Sequence, residues 1–367
     1  MSAGKFVVMY VIGSLGNGRA GTERSLLTLA SSLDRARFEP IIVSLQDCEF
    51  VRAGDAQVET HCLDLDRMFT PKFLRQRAKL AVLMSSRNVA VVQTFFTEAH
   101  LVGGSAARRA QVPVIISSRR NLGYSFGWKE RCYLRLANRY PHRFLANSEA
   151  VADSIACLEH LPRDRFDVIY NGVDLAPVLH GSRPARPIVI MTANLRPIKA
   201  VDTLIDAARI VSVSRTDVAF RIIGDGPERG RLMARAEALG VGGQAQFLGS
   251  LNDVRAEIAS ATIGVLTSRS EGFSNSILEY MCQGLPVIAT DVGGNREVID
   301  DGRTGCLIPV DNPAALAEKI LYLVNHPEIA GEMGRRGRAL VMEKFSLQSM
   351  VRNHEDYYCR LLAAAGR

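Results

Sequence analysis

Residues 261–290 read ATIGVLTSRSEGFSNSILEYMCQGLPVIAT. An apolar run rich in β-branched residues (261–268) leads into a Glu/Gly loop. An amphipathic stretch from about Asn275 to Cys282 follows, stopped by Gly284 and Pro286, and a second apolar run (286–290) closes the segment. Strand, loop, helix and strand in that order form a βαβ unit, whose strands lie parallel and are buried on both faces.

The same alternation extends in both directions. On the N-terminal side FVVMYVIG (6–13) precedes a glycine-rich loop and the helix-forming TERSLLTLASSL, which places Leu26, Ala30 and Leu33 on one face. Strand-like PIIVSL (40–45), VAVVQT (89–94), PVIIS (113–117) and FLAN (144–147) follow, separated by helix-length amphipathic sequence. DVIYNGVD (167–174) ends in a turn, and APVLHGSRPARP (176–187), rich in Pro, Gly and Arg without periodicity, reads as a linker. The pattern then restarts with IVIMTAN (188–194), AFRIIG (219–224), AQFLGS (245–250), the unit quoted above and CLIPV (306–310), before a long helix over about 346–364. The expectation is two doubly wound α/β Rossmann-like domains, 1–178 and 179–345, facing across a cleft, with the helix of 346–367 returning towards the first. Such sheets bind ligands beyond the carboxyl ends of their strands.

The composition fits this. At 367 residues, 47% hydrophobic and 23% charged, the chain has room for two cores and is neither disordered nor fibrous. No apolar run approaches the roughly 20 residues of a membrane span, and the N-terminus does not read as a signal peptide, so a cytoplasmic protein is expected. Seven scattered cysteines without a C-x-x-C pair argue against a disulfide framework or zinc site, and the histidines lack i, i+4 pairing. Asp64-Leu65-Asp66 looks like a metal-holding acidic pair but reads more simply as a polar strand end. The net charge of +7 is unevenly spread. Residues 39–66 hold seven acids and one base, whereas 67–143 hold fifteen bases against Glu98 and Glu130. With Phe69, Phe73, Tyr124, Phe126 and Trp128 interleaved, that basic segment suits a peripheral contact with an anionic membrane surface. The alternative is a solvated face of helices with its aromatics in the core.

Three motifs carry chemistry. Gly16-Asn17-Gly18-Arg19-Ala20-Gly21 fits G-x-G-x-x-G between strand and helix, a phosphate-binding arrangement. For a dinucleotide site Asp47 is the loose candidate for the ribose-binding acid. ANLRPIKAVDTL (193–204) places Arg196 and Lys199 in a strand-to-helix loop, where they can neutralise phosphate charge. In EGFSNSILE, Glu271 precedes the helix and Glu279 lies inside it. The amides of 275–277 form an anion site, and Ser276 with Glu279 stands at capping-box spacing, with Ser274 as the competing cap.

This last block resembles the signature of the retaining family-four glycosyltransferases of GT-B fold. Matching elements run in order along nearly the whole chain: Ala20-Gly21-Thr22-Glu23, Ala146-Asn147-Ser148, Tyr170-Asn171-Gly172-Val173-Asp174, Gly224-Asp225-Gly226-Pro227, Phe247-Leu248-Gly249, Gly293-Gly294-Asn295-Arg296-Glu297 and Asp301-Gly302-Arg303-Thr304-Gly305. The resemblance implies a UDP- or GDP-sugar donor on the second domain, a glycan or lipid-linked acceptor on the first, and no cofactor, metal or nucleic acid. It implies that Glu279 binds the ribose and that Glu271, with Gly272 and the amides of Phe273 and Ser274, meets the transferred sugar. Asn275, Ser276 and Ile277 would hold the diphosphate with Lys199 and Arg196. Gly224 belongs to the donor site, Leu251 would meet the base, and Gly21 would close over the phosphates.

The chain departs from the family in two loops. Ala193 and Asn194 replace the usual Gly-Arg and Ala200 the final Gly of the second-domain loop, leaving Arg196 to supply the charge. The histidine often found after the strand at 113–117 is missing. Ser117-Ser118-Arg119-Arg120-Asn121 stand there, so His100, Arg119 and Arg120 are the acceptor-side candidates. The competing functions are an NAD-dependent oxidoreductase, supported by the first glycine loop, and a non-catalytic sugar-nucleotide-binding protein.

Overall fold

The computed structural model describes residues 4–15, 21–46, 57–65, 67–123, 127–175 and 186–367. The glycine-rich loop at 16–20, Asp47, Asp66, Tyr124, Phe126 and the linker at 176–185 lie outside the described residues.

Two compact units divide the chain: Met1–Asn171 with Gln348–Arg367, and Gly172–Leu347. The division falls ahead of the linker. Val173 already pairs with Ser346, its N–H reaching Phe345 O at 2.9 Å and its carbonyl taking Leu347 N–H at 2.9 Å, so the segment after Asn171 belongs to the second unit.

The first unit holds a seven-stranded parallel sheet of β1 (Phe6–Ile12), β2 (Phe38–Ser44), β3 (Glu59–Cys62), β4 (Val89–Phe95), β5 (Val114–Arg119), β6 (Arg143–Ala146) and β7 (Phe166–Val168), in spatial order 3-2-1-4-5-6-7. Its central strands are the apolar runs of the sequence because both faces are covered: Val8 to Ile12 are wholly buried, as are Ile41, Ile42 and Val43. Strand β3 (ETHC) was not foreseen. It is an edge strand, exposed or half-buried along its length, so it carries no apolar signature.

The C-terminal helix Leu347–Ala364 packs its buried face, including Met350, His354, Tyr357, Tyr358 and Leu362, within the first unit. Tyr358 Oη lies 3.2 Å from Tyr10 Oη and donates to Gln93 Oε1 at 2.6 Å, and Gln93 Nε2 donates to Ser118 Oγ at 2.8 Å. This buried chain ties the helix through β1 and β4 to the end of β5. Desolvation raises the pKa values of both tyrosines, so they remain neutral donors.

The second unit repeats the plan with six parallel strands: β8 (Ile188–Thr192), β9 (Ala219–Ile223), β10 (Ala245–Gly249), β11 (Ile263–Leu266), β12 (Val287–Thr290) and β13 (Cys306–Ile308), in order 10-9-8-11-12-13. In both units the chain steps outward on one side and then returns to the other side of its first strand. The switch points therefore lie between β1 and β4 and between β8 and β11, where open α/β sheets bind ligands.

Folding pairs part of the strongly basic stretch with acids from elsewhere in the chain. Arg87 pairs with Glu39 and Glu59, Lys72 with Asp64, Arg119 with Glu159 and Arg143 with Asp167. Every one of these acids lies outside residues 67–143, so counting along the chain overstated the local excess. Asp64, half of the suspected metal pair, is thereby the counter-ion of Lys72. The aromatics divide as well: Phe73 is core, whereas Phe69 and Trp128 are 56% and 73% exposed.

Candidate functional sites

In the second unit the site residues assemble at the β8/β11 switch point. The helix Asn275–Cys282 is seated there by two contacts to the end of β8. Tyr280 Oη accepts the Thr192 N–H at 2.6 Å and lies 2.9 Å from Thr192 Oγ1, and Ser276 Oγ donates to Thr192 O at 3.1 Å. Tyr280 can approach because β11 carries Gly264 beneath its ring: a Cβ there would fall 2.4 Å from the ring. Burial raises the pKa of Tyr280, so its hydroxyl stays protonated. The capping-box reading is corrected by this geometry. Ser274 is the N-cap, without a side-chain capping bond, and the Ser276 hydroxyl is spent on β8. The first turn of that helix, with the backbone amides of Ser276 and Ile277 and the positive end of the helix dipole, thus stands at the switch point.

Lys199 and Glu271 arrive from the two sides of that point. Lys199 ends the single 3₁₀ turn Pro197–Lys199 after β8, and Glu271 sits in the loop after β11. Lys199 Nζ donates to Glu271 Oε1 at 2.5 Å, and Ser268 Oγ donates to the same oxygen at 2.6 Å. The lysine loop is clamped from β11: Thr267 Oγ1 lies 3.0 and 2.9 Å from the carbonyls of Lys199 and Ala200, and Arg269 N–H donates to Ile198 O at 2.8 Å. Ala200, in the place of the family glycine, still adopts the left-handed conformation that glycine would suit, at φ 45° and ψ 45°.

The other second-unit residues line the same sheet edge. Gly224 follows β9 at φ 129°, and a Cβ there would lie 1.9 Å from Ala193 O; a Cβ on Gly226 would lie 2.5 Å from Leu195 O. These glycines let the turn after β9 zip to the loop bearing Arg196, through Leu195 N–H to Asp225 O at 2.9 Å and Glu228 N–H to Leu195 O at 3.1 Å. Arg196 is exposed and its side chain makes no hydrogen bond among the described residues. Leu251, after β10, is 38% exposed. Gly272 and Ser274 are buried, Glu279 is half-buried on the helix, and Phe273 packs on Phe345 with ring centroids 5.7 Å apart.

In the first unit a cleft of about 560 Å³ opens at the β1/β4 switch point, lined by Gly13, Phe96, Glu98, His100, Arg120 and Glu130 among others. Gly21, from the first glycine loop, begins the helix Gly21–Ser32 beside it, and Thr22 and Glu23 reach the cleft wall. Phe96 stands at φ 70° and ψ 158°, a conformation costly for a residue with a Cβ, and is 40% exposed. His100 is 5% exposed; burial, reinforced by the charge of Arg119, holds its pKa well below the usual 6.5, so the ring is neutral.

The three acceptor-side candidates therefore differ in character. Arg119 is 3% exposed and committed to Glu159 at 2.9 Å, Asn138 at 2.8 Å and Ser117 at 2.6 Å. Arg120 donates through Nη2 to Ser25 Oγ and Asn171 Oδ1, and desolvation lowers its pKa to about 10. Sequence reasoning missed Glu159, Asn138 and Phe96, which carry no motif. The backbone strain at Phe96 and the burial of Glu159 appear only in three dimensions.

Two doubly wound units, each with polar side chains gathered at its switch point, define the GT-B class, and solved structures confirm it. The chain superposes on Anabaena Alr3699/HepE in complex with UDP and glucose with a TM-score of 0.83 at 20% identity, covering 95% of this chain and 98% of that one. A glycosyltransferase from Rickettsia africae gives 0.85 at 20% identity, covering 98% and 99%. Residues 19–177 match the model for Glycosyltransferase Family 4 and residues 186–326 that for Glycosyl transferases group 1, so the chain belongs to this glycosyltransferase family. Among curated relatives it is 32% identical over 184 residues to the N-acetyl-alpha-D-glucosaminyl L-malate synthase of Bacillus anthracis, covering 50% of this chain and 48% of that protein. It is 30% identical over 179 residues to the lipopolysaccharide core biosynthesis glycosyltransferase LpsE of Rhizobium meliloti, covering 48% and 50%. The chain spans about half the length of the curated relatives it matches.

Proposed function

We propose that the protein transfers a sugar, with retention at the anomeric carbon, from a nucleotide-diphosphate sugar to a glycan or lipid-linked acceptor in cell-surface polysaccharide or glycolipid synthesis. The observation that carries this reading is the Lys199–Glu271 pair at the β8/β11 switch point, beside the first turn of Asn275–Cys282. In the free protein Glu271 is the counter-ion of Lys199. A donor diphosphate would take over that ammonium, together with Arg196 and the amides of Ser276 and Ile277, leaving the carboxylate to face the sugar.

The barrier in such a transfer is set by negative charge growing on the departing diphosphate. Fixed cations and amides that need no reorganisation stabilise it. On this reading Lys199, Arg196 and the helix N-terminus do the work of a metal ion, and transfer persists in chelator. Glu279 accepts hydrogen bonds from the ribose, Gly272, Phe273, Ser274 and Asn275 lie along the sugar and phosphates, and Gly224 and Leu251 border the donor.

We place the protein at the cytoplasmic face of a membrane as a peripheral enzyme. No helix among the described residues is long and apolar enough to cross a membrane. The exposed Phe69 packs on Tyr133 at 5.4 Å, in the helix that the exposed Trp128 begins, and Arg75, Lys79, Lys129 and Arg131 lie on that helix and on Pro71–Ser86. Apolar rings flanked by cations suit an anionic interface.

A thermal-shift screen against UDP- and GDP-sugars tests the donor reading. At a hundredfold excess over Kd a true donor stabilises by about 2.7 kcal/mol. Lys199→Met should abolish the shift, and no shift with any nucleotide sugar would overturn the assignment.

A further inference from the structure

The buried cluster beneath the first-unit cleft has a hydrogen-bond logic of its own. Arg119 Nη2 binds Glu159 Oε2 and Asn138 Oδ1, and Asn138 Nδ2 donates to the same Glu159 oxygen at 2.7 Å, which locks the guanidinium in place. Its Cζ also lies 5.2 Å from the centroid of the Phe144 ring. Arg119 Nη1 then donates to Ser117 Oγ at 2.6 Å. Because a guanidinium can only donate, the serine oxygen must accept there, and its single proton is left for another partner.

The partner within reach is His100 Nδ1, at 2.9 Å. Thr94 Oγ1 is 2.8 Å from the same nitrogen, and its own proton can go to Ile116 O at 3.2 Å. If Nδ1 accepts, every hydroxyl proton in the cluster is used. If Nδ1 carried the proton, that of Ser117 would have no acceptor in the cluster, a cost of about 1–3 kcal/mol for a buried donor. The tautomer assigned on this ground is Nε2–H. Nε2 makes no hydrogen bond among the described residues, and His100 lines the cleft.

We infer that Arg119 is a positioning residue: acting through Ser117, it fixes His100 as a neutral Nε2–H donor aimed at a hydroxyl of the sugar bound in the first-unit cleft. This deepens the glycosyltransferase reading and rests on it for the identity of the ligand, but not for the proton arrangement. The charge balance of the cleft selects a hydroxyl rather than a phosphate. Arg119 is neutralised by Glu159, and Glu23, Glu98 and Glu130 line the cleft with Arg120, so acids outnumber the remaining guanidinium there. With its proton on Nε2, His100 cannot act as a base towards the cleft. It orients a ligand oxygen.

Long-range ¹H–¹⁵N NMR of ¹⁵N-histidine-labelled protein, with His100 assigned by His100→Gln, tests the proton arrangement without any substrate. Arg119 from β5 is the charge that acts on the ring, and the other charged groups of the cleft are Glu23, Glu98, Arg120 and Glu130. The expected spectrum at pH 8 shows Nε2 protonated and Nδ1 bare. In Arg119→Met/Glu159→Gln, which removes both charges together, Ser117 is released, so the Nδ1–H form should appear. A wild-type Nδ1–H signal, or an unchanged tautomer in the double variant, overturns the positioning role.

Turnover of whichever nucleotide sugar the thermal screen identifies supplies the second arm. His100→Gln, which keeps a donor without the fixed ring, should lose less turnover than His100→Phe. His100→Phe should lose about tenfold or more, and equal activity in the two variants overturns ligand contact. Failure of the donor screen would leave the NMR result standing, so the two readings fail separately.

Discussion

Replacing His354 should remove a defined part of the protein's acid sensitivity. The residue is 5% exposed in the C-terminal helix, its Nδ1–H donates to Met350 O at 2.9 Å, and its ring meets Tyr358 edge-on at 6.0 Å. Burial lowers its pKa from 6.5 to about 4; the charge of Arg120 acts in the same direction, against the Met350 carbonyl. The unfolded chain takes up a proton near pH 6.5 that the folded protein refuses until about pH 4. Stability from this group is therefore complete above pH 6.5 and is lost as the pH falls towards 4. At 1.36 kcal/mol per pKa unit the loss amounts to about 3 kcal/mol.

His100 and His142 are shifted downward by burial too, and protonating carboxylates add their own slope, so only a difference isolates His354. His354→Gln keeps an amide donor without the titration. Hydrogen exchange of the Phe6–Ile12 peptide is the assay, because Tyr10 in that strand is bonded to Tyr358 and reports opening of the first unit. Protection measured from pH 7.5 to 4, after correction for intrinsic exchange, should fall more steeply in wild type than in the variant by about 1.4 kcal/mol per pH unit below 6.5. Parallel curves would refute the argument, because they would mean that His354 protonates equally in both states.

Three further outcomes follow from the second unit and the exposed aromatics. Tyr280→Phe strands the buried Thr192 N–H and should cost about 1–3 kcal/mol in urea unfolding of that unit, with loss of nucleotide-sugar affinity as the helix Asn275–Cys282 loosens. Ala200→Gly relieves a left-handed residue whose strain is about 1–2 kcal/mol, offset by greater backbone freedom in the unfolded chain. The melting temperature should hold or rise, and a clear fall would show that the methyl packing matters more. Co-sedimentation with anionic vesicles should weaken in Trp128→Ala/Phe69→Ala and with charge reversal at Arg75 and Lys79, and should fade with salt; indifference to both changes would remove that surface from the membrane reading.

The fold was legible because parallel strands buried on both faces have no choice of composition. Each central strand of either sheet announces itself as an apolar run between turn residues, down to VIAT (287–290) and IVIMT (188–192). The edge strand β3 escaped because half-exposed ETHC has no such constraint. Glu271, Lys199 and the helix between Ser274 and Gln283 were visible as local patterns with family precedent, and the structure gathers them at one switch point.

What the linear chain could not express was pairing across it. Glu271 reaches Lys199 over 72 positions, and Arg119 is neutralised by Glu159 40 residues later. Lys72, Arg87 and Arg143 of the basic run are likewise answered by acids that lie before or after it. Sequence alone determined the βαβ order, the two sheets and the residue types at their carboxyl ends, because burial periodicity and turn chemistry act over a few neighbours. Tertiary structure decided which of those charges stay available to a ligand and which are spent on one another. Coulombic and hydrogen-bond partners are chosen by distance in space, and only the folded chain sets that distance.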